Sequence, residues 1–420
     1  MQSRDPTPAA PAVLAAGAAA GTVALARAAA GVVTALGASP RRLRAAADRA
    51  AAAGSAQVAD GRFHNALPGE AAERGSTLAV LHAVAARGRV GHPTRPVPLT
   101  ADPTPERAAG LALTWYGHSS VLLEVDGYRV LADPVWSERV SPSRTVGPRR
   151  LHPAPVPLSA LPPVDAVVIS HDHYDHLDLP TVRALLHAGP GPNGAAPFVV
   201  PLGVGAHLRR WGVPDARIVE LDWGGSARVG DLMLTCTEAR HFSGRRLRRN
   251  TTLWSSWVVT GPRHRAFFGG DTGYTPAFAE LGRAYGLFDV ALMPIGAYSA
   301  LWPLIHMTPE EAVRAHGDLT GGTGLLVPVH WATFNLGFHP WSEPVRRLHG
   351  AAADVGARTA VPLPGQRIDV AAPPPQVDWW VGIDDTPRPN GRYRGTGAAL
   401  FEAPGTTTPA PAPHVRTSEP

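Results

Sequence analysis

The sequence predicts an α/β fold whose strands end at residues able to bind metal ions. Between about residues 63 and 370, short β-rich runs alternate with Gly/Pro turns and helical stretches. The apolar run 164–170 leads directly into the hexapeptide HDHYDH at 171–176. Three further apolar runs each end close to a His or an Asp. This recurrence indicates a layered sheet protein with one site shared by several strand ends.

Composition excludes some classes of protein. The chain has 420 residues, 44% of them hydrophobic, which is enough for a large core. Its net charge is +5, and all 39 basic residues are Arg. These arginines are spread along the chain instead of forming a stripe with interleaved aromatic residues, so we do not expect a nucleic-acid partner. A lone Cys236 excludes an intrachain disulfide framework and a Cys-rich zinc module.

The two ends of the chain differ in composition from its centre. Residues 1–62 are an Ala-rich leader, in which the uncharged run 9–26 is either a signal or membrane anchor or a plain Ala-rich segment. We expect a polar helix over 40–54, a central domain over 63–370 and a Pro-rich, disordered tail over 371–420. The protein is then expected to be cytoplasmic or membrane-associated. Trp379 and Trp380 are candidates for folding back onto the domain.

Turn and periodicity patterns predict the elements of the central domain. Asp126-Gly127 lies between two β-rich runs and predicts a hairpin. Thr308-Pro309-Glu310-Glu311 has the features of a helix start. The predicted strands are 121–125, 128–131, 166–169, 198–200, 232–237, 256–260, 266–268, 290–293 and 325–329, and the predicted helices are 180–188, 276–285 and 309–317.

The candidate metal ligands follow these strands. The loop 171–176 places three His and an Asp within six residues, a set that is costly to bury unless something satisfies it. The strands at 232–237, 266–268 and 325–329 lead to His241, Asp271 and His330. Imidazole and carboxylate groups are the ligands of zinc and related ions. The alternative for the loop alone is a His-rich surface turn.

These features resemble the metallo-β-lactamase superfamily, whose first motif is His-x-His-x-Asp-His, over roughly residues 63–365. The flanking segments resemble the N-acyl-phosphatidylethanolamine phospholipase D branch. The resembling segments are 114–119, 133–135, 137–139, 141–143, 147–148, 252–254, 269–274, 294–298, 309–312 and 330–331. The resemblance implies an αββα sandwich with the metal site at one edge of its two sheets.

The resemblance also implies a dinuclear site. One ion would be held by His171, His173 and His241, and the other by Asp175, His176 and His330. Asp271 would bridge the two ions. We expect two divalent ions and zinc first, although His/Asp sites also accept iron or manganese. A water between two such ions becomes a nucleophile near neutral pH.

The function implied is a phosphodiesterase acting on a phospholipid-like or other small phosphodiester, with contact to the membrane surface as a further expectation. One alternative is a hydrolase of lactones or other carboxylic esters. A second, of another class, is a non-catalytic metal-binding scaffold. The oligomeric state is not predicted.

Several other residues are candidates for contact with the substrate. Asp175 and His306 are the candidate catalytic residues, and Arg245, Arg246 and Tyr298 are candidate substrate contacts. The arginines at 144, 149 and 150 and at 245–249 form two clusters that either bind a phosphate or an anionic membrane surface, or form a solvated face. His118 lies in a Gly-His-Ser turn, with either a supporting role at the metal site or a purely structural one.

Overall fold

A computed structural model of the protein describes residues 29–67, 77–187 and 196–383. The Ala-rich run 9–26 and the tail beyond residue 383 lie outside the described residues, so what is expected of them stays a prediction. Within the described ranges, none of the helices combines the length and the apolar character needed to cross a bilayer.

The described strands form two large sheets and a short ribbon. Strands β1 and β2 form the ribbon. Sheet I has the order β15-β3-β4-β5-β6-β7-β8, and sheet II has the order β14-β13-β12-β11-β10-β9. The strands are β1 Val58–Ala59, β2 Arg62–Phe63, β3 Leu111–Trp115, β4 Val121–Val125, β5 Tyr128–Ala132, β6 Ala166–Val168, β7 Phe198–Pro201, β8 Ile218–Leu221, β9 Ser226–Val229, β10 Leu232–Thr237, β11 Ser256–Thr260, β12 Arg265–Phe268, β13 Val290–Pro294, β14 Leu325–Val329 and β15 Arg367–Asp369.

Both sheets combine an antiparallel part with a parallel part. In sheet I, β15, β3, β4 and β5 pair antiparallel and β5 to β8 pair parallel. In sheet II, β9 to β12 pair antiparallel and β12 to β14 pair parallel. The hairpin predicted at Asp126-Gly127 joins β4 to β5, with Val125 opposite Tyr128. Its two turn residues have φ of 49° and 90°, as a tight two-residue hairpin requires.

The described residues also form eight α-helices. They are α1 29–35, α2 Pro40–Ala52, α3 Thr77–Ala86, α4 Leu179–His187, α5 Gly205–Trp211, α6 Ala277–Tyr285, α7 Pro309–Thr320 and α8 Glu343–Val355, with 3-10 turns at Leu158–Ala160 and Asp215–Arg217. The predicted start of α7 is confirmed. Thr308 Oγ1 accepts from the Glu311 amide at 3.2 Å, and Glu311 Oε2 accepts from the Thr308 amide at 2.8 Å.

The apolar core has two main parts, which together confirm the αββα sandwich. The larger part lies between the sheets and continues under α7 and α8, with Trp115, Trp257 and Phe267 among its largest fully buried side chains. The second part lies between sheet I and helices α4 and α5. Because both sheets are covered on both faces, most residues of the parallel strands are buried, while β8, at the edge of sheet I, is half-buried.

Segments flanking the central domain pack against it. Ala47 and Ala50 of α2 belong to a buried cluster with Leu253 and Trp254. At the other end, Trp379 lies 5.3 Å from the Trp331 ring, so the two-tryptophan segment folds back as expected. The predicted domain limits themselves stay predictions.

Candidate metal centre

The HDHYDH loop begins directly beyond β6. The amides of His176 and Leu177 both donate to the His173 carbonyl, at 3.1 and 2.8 Å, which turns the chain sharply after the strand. His171 and His176 are buried, whereas His173 and Asp175 are partly exposed. An apolar strand followed by a tight turn therefore concentrates imidazole and carboxylate groups at one edge of sheet I.

Sheet II brings the remaining candidate ligands to the same edge. His241 follows β10, Asp271 follows β12 and His330 directly follows β14. The turn before Asp271 needs glycine, because Gly270 has a φ of 56° and a Cβ there would lie 2.5 Å from Ser170 Cβ. This close approach sets the carboxylate of Asp271 against the loop beyond β6.

The first cluster consists of His171, His173, His241 and Asp271. His173 Nδ1 lies 2.8 Å from His171 Nε2 and 3.3 Å from His241 Nε2. Asp271 Oδ2 lies 3.9 Å from His171 Nε2 and 3.7 Å from His241 Nε2. One ligand atom from each residue can therefore face a common point.

The second cluster consists of Asp175, His176, His330 and the same Asp271. Asp175 Oδ2 lies 3.5 Å from His176 Nε2 and 3.4 Å from His330 Nε2. Asp271 reaches both imidazoles, with Oδ2 at 3.2 Å from His176 Nε2 and Oδ1 at 3.1 Å from His330 Nε2. Asp271 is thus the carboxylate that the two clusters share.

The donor set fits a divalent metal. His176 Nε2, His330 Nε2 and Asp271 Oδ1 are buried atoms that make no hydrogen bond, although they lie close together. Buried polar atoms without partners are costly, and a cation would satisfy all three at once. Imidazole nitrogen and carboxylate oxygen are ligands that zinc and its neighbours accept.

Comparison with known proteins identifies the family to which the chain belongs. The family described as "Beta-lactamase superfamily domain" matches residues 128–331. An uncharacterised protein of Mycobacterium tuberculosis is 56% identical over 373 residues, which cover 86% of this chain and 97% of that protein. The chain belongs to the metallo-β-lactamase superfamily. It is a metal-dependent hydrolase of that superfamily.

Two relatives whose names state an activity are more distant. N-acyl-phosphatidylethanolamine-hydrolyzing phospholipase D 1 of Caenorhabditis elegans is 36% identical over 240 residues, 54% of this chain and 66% of that protein. The mitochondrial enzyme of the same description from Saccharomyces cerevisiae is 31% identical over 245 residues, 56% of this chain and 50% of that protein. Among solved structures, an isothiocyanate hydrolase from Delia radicum gut bacteria has a TM-score of 0.50 at 21% identity, over 61% of this chain and 98% of that one. That likeness concerns the superfamily fold alone.

The electrostatics of the two clusters differ. Burial lowers the pKa of His171 and His241 well below the usual value. Burial also disfavours the charged form of His330, but Asp271 and Asp175 outweigh it and raise the pKa of His330 to about 9. Burial alone would raise the pKa of the Asp175 carboxyl, yet His176 and His118 hold that pKa well below its ordinary range. The second cluster is therefore the one with strong anion–cation pairing.

Neighbouring groups orient the ligand imidazoles. Asp133 Oδ2 lies 2.7 Å from His176 Nδ1, and the carbonyl oxygen of Ile305 lies 2.8 Å from His241 Nδ1. Ser170 Oγ donates to Asp133 at 2.5 Å and lies 2.9 Å from His171 Nδ1. Contacts of this kind set the imidazole tautomers and strengthen the ligands.

His118 is a member of the site whose role the sequence leaves open. Its Nε2 lies 3.0 Å from Asp175 Oδ2, and its ring lies 4.1 Å from that of His330. His118, Asp133 and His330 all have positive φ, at 52°, 39° and 60°. Such backbone strain in non-glycine residues is concentrated at functional sites. The structure thus places His118 beside the second cluster.

His306 lies beside Asp271 and His241, and its role stays a prediction. Its Nδ1 is 4.0 Å from Asp271 Oδ2, and its ring is 5.0 Å from His241. Burial lowers the pKa of His306 to about 4, against the opposing effect of Asp271. The imidazole is therefore neutral at pH 7, which favours a contact to the substrate over a standing proton donor.

Arg245 does not have the environment of a substrate contact. Its side chain is buried, with Nη1 donating to the carbonyls of Asp172 and Leu177 at 2.8 and 2.7 Å. Nε and Nη2 both donate to Ala35, at 3.1 and 2.9 Å. These donors fasten the metal loop to the N-terminal segment, so a contact of Arg245 with a phosphate stays a prediction that this environment does not favour.

The other two predicted substrate contacts are placed differently. Arg246 is half-buried, and its Nε lacks a hydrogen-bond partner, so it stays a candidate. The Tyr298 hydroxyl donates to Glu343 at 2.6 Å, and its ring stacks on His339 at 4.6 Å. This packing ties Tyr298 to α8, so its contact with the substrate stays a prediction.

Proposed function

We propose that this hydrolase uses two divalent ions to cleave phosphodiester bonds of phospholipid-like substrates. Zinc is the first candidate for both ions. The observation that carries the two-ion proposal is Asp271, whose carboxylate reaches imidazoles of both clusters. The choice of substrate rests on the similarity to the two phospholipase D relatives.

The ligands present would serve such a centre without further rearrangement of the fold. His171, His173 and His241 would hold one ion, Asp175, His176 and His330 the other, and Asp271 both. Two bound ions would lower the pKa of a water and polarise the phosphoryl oxygen. Asp175, kept ionised by its neighbours, would orient that water, and His306 would contact the substrate across the site.

The pairing of two aromatic side chains, Trp302 and Phe338, supports a lipid substrate. Trp302 lies on the loop that leads to His306, and its ring is 5.2 Å from the Phe338 ring. Both side chains are half-buried. Such an aromatic pair is the kind of apolar surface that an acyl chain requires.

The test is hydrolysis by the full chain loaded with zinc, manganese or iron. We expect release of phosphatidic acid from N-acyl-phosphatidylethanolamine in mixed micelles and slower hydrolysis of bis(p-nitrophenyl) phosphate. Asp271→Ala is the inactive comparison, and Asp354→Ala, at an exposed position of α8, is the matched substitution outside the metal centre. Hydrolysis of lactones or carboxylic esters without phosphodiester cleavage would replace this proposal with the lactonase alternative. Metal binding without any hydrolysis would favour a scaffold.

A further inference from the structure

A basic groove lies beside the metal centre and is separate from it. It measures about 680 Å³ and is lined by five arginines, together with His92, Asn335 and small or apolar residues. None of the metal-cluster residues lines it, and among the described lining residues there is no Asp or Glu. The arginines are Arg87, Arg89, Arg139, Arg149 and Arg150.

Arg150 carries the strongest indication of a ligand. Its Nε donates to the Ser137 carbonyl at 3.0 Å and its Nη2 to the Val135 carbonyl. Its Nη1 is buried and makes no hydrogen bond. Burial lowers the pKa of Arg150 only to about 10, so the guanidinium stays charged at neutral pH. A buried charged donor without a partner costs free energy that an anion in the groove would recover.

Most of the other arginines of the groove are not paired with a carboxylate. Arg87 donates to the carbonyls of Asn335 and Gly337 at 3.2 and 3.3 Å, which are neutral acceptors. Arg139 donates to the Gly147 carbonyl at 2.6 Å. Only Arg149 pairs with a carboxylate, that of Glu138 at 2.5 Å, and both of those side chains are more than half exposed. The groove therefore has a net positive charge that nothing within its lining neutralises.

The segment that follows His330 runs from the metal centre to the groove. The Leu151 amide donates to the Thr333 carbonyl at 2.8 Å, and Arg150 forms a β-bridge with Phe334. The Arg150 guanidinium lies 5.2 Å from the Phe334 ring, and that ring lies 5.2 Å from the His118 ring. Arg150 thus lies two ring contacts away from the second cluster and is not itself one of the cluster residues.

We propose that this groove binds the phosphate group of a second anion, distinct from the bond that is hydrolysed. Guanidinium groups pair with phosphate oxygens through two parallel hydrogen bonds, and several of them in one groove favour a multiply charged anion. Two sources share this chemistry: a soluble phosphate monoester, and the headgroup of an anionic lipid at a bilayer surface. The proposal does not depend on the proposed phosphodiesterase activity.

The experiment compares two probes on the metal-loaded full chain. One is glycerol phosphate, titrated by calorimetry at low ionic strength. The other is a set of vesicles of phosphatidylcholine with or without phosphatidylglycerol, followed by co-sedimentation. Arg89→Gln/Arg149→Gln removes two exposed arginines of the groove, and Arg283→Gln/Arg346→Gln, which removes two exposed arginines on α6 and α8, is the matched control. Any binding at the metal centre itself is common to all three proteins.

We expect the double variant to bind at least about fivefold more weakly than the control, with a difference that fades as salt is raised. Weaker binding of both probes supports a phosphate site open to either source. A loss seen only with phosphatidylglycerol vesicles supports the headgroup source, and one seen only with glycerol phosphate supports the soluble source. Equal binding of both probes by the double variant and the control would overturn the proposal, whatever the chain hydrolyses.

Discussion

The first and second clusters share Asp271 but are supported by different kinds of contact. In the first, the imidazoles of His171 and His241 contact neutral oxygens, the Ser170 hydroxyl and the Ile305 carbonyl. The carboxylate of Asp172, between His171 and His173, supports the backbone instead and accepts from the Gly244 amide at 2.7 Å. In the second, carboxylates act on the imidazoles directly, as Asp133 does on His176. We infer that changes around the first cluster affect mainly the stability of the loop, whereas changes around the second affect mainly the strength of its ligands.

The largest effect is expected where the clusters meet. Asp271→Ala removes the carboxylate that reaches His176, His330 and the first cluster, so metal affinity should fall at both. Hydrolysis should drop by at least about a thousandfold, while circular dichroism shows a folded chain. His176→Ala is the comparison that removes a ligand of the second cluster alone. Near wild-type turnover by Asp271→Ala would contradict the shared-carboxylate account.

Asp133→Asn should act on the second cluster selectively. The substitution keeps the size of the side chain but removes the charge that faces His176 Nδ1. We expect about 10- to 100-fold weaker binding of one ion, with binding of the other changed by less than about twofold. Competition titration against a chromogenic chelator resolves the two steps, and Asp126→Asn is the matched control. Equal weakening of both steps would show that the clusters are not supported separately.

His118→Asn should have a smaller effect. His118 contacts Asp175 Oδ2, and we expect it to orient this carboxylate without binding an ion itself. Turnover should then fall by about tenfold with an unchanged number of bound ions. A lower metal content in the His118→Asn protein, measured by mass spectrometry, would instead make His118 a ligand.

Arg245→Gln should leave the chemistry nearly untouched. The substitution removes donors to the carbonyls of Ala35, Asp172 and Leu177, and buried carbonyls without donors are costly. We expect the free energy of unfolding to fall by about 2–4 kcal/mol, with turnover per folded molecule within about twofold of wild type. Denaturant titration and initial rates test this pair of expectations, with the exposed Arg248→Gln as control. A large loss of turnover in a stable Arg245→Gln protein would restore Arg245 as a substrate contact.

The sequence predicted the strands that lead to the candidate ligands better than the contacts that support those ligands. Apolar runs ending in His or Asp are visible because strands and turns are local, and β6, β10, β12 and β14 all lie where they are expected. Strands β3, β8, β9 and β15 and helices α5 and α8 were not predicted; β15, for example, has only three residues and is defined by its pairing with β3. The role of Asp133 depends on a contact with His176, 43 residues away, which no local pattern reveals.

Arg245 illustrates the same limit. A run of arginines after a candidate ligand is equally compatible with a phosphate site and with the interior of the fold. Only the path of the N-terminal segment, which brings Ala35 to the guanidinium, distinguishes the two. The sequence shows the neighbouring Arg149 and Arg150 but does not predict the groove, because its other arginines come from segments far apart in the chain.

The central claim is that the chain holds two ions on clusters joined by Asp271. The most direct measurement is the metal content of the full-length protein, determined by mass spectrometry after supplementation with zinc and desalting, in parallel for wild type and His176→Ala. We expect about two ions per wild-type chain and about one in the variant. One ion or fewer in the wild type, or no loss in His176→Ala, would contradict it.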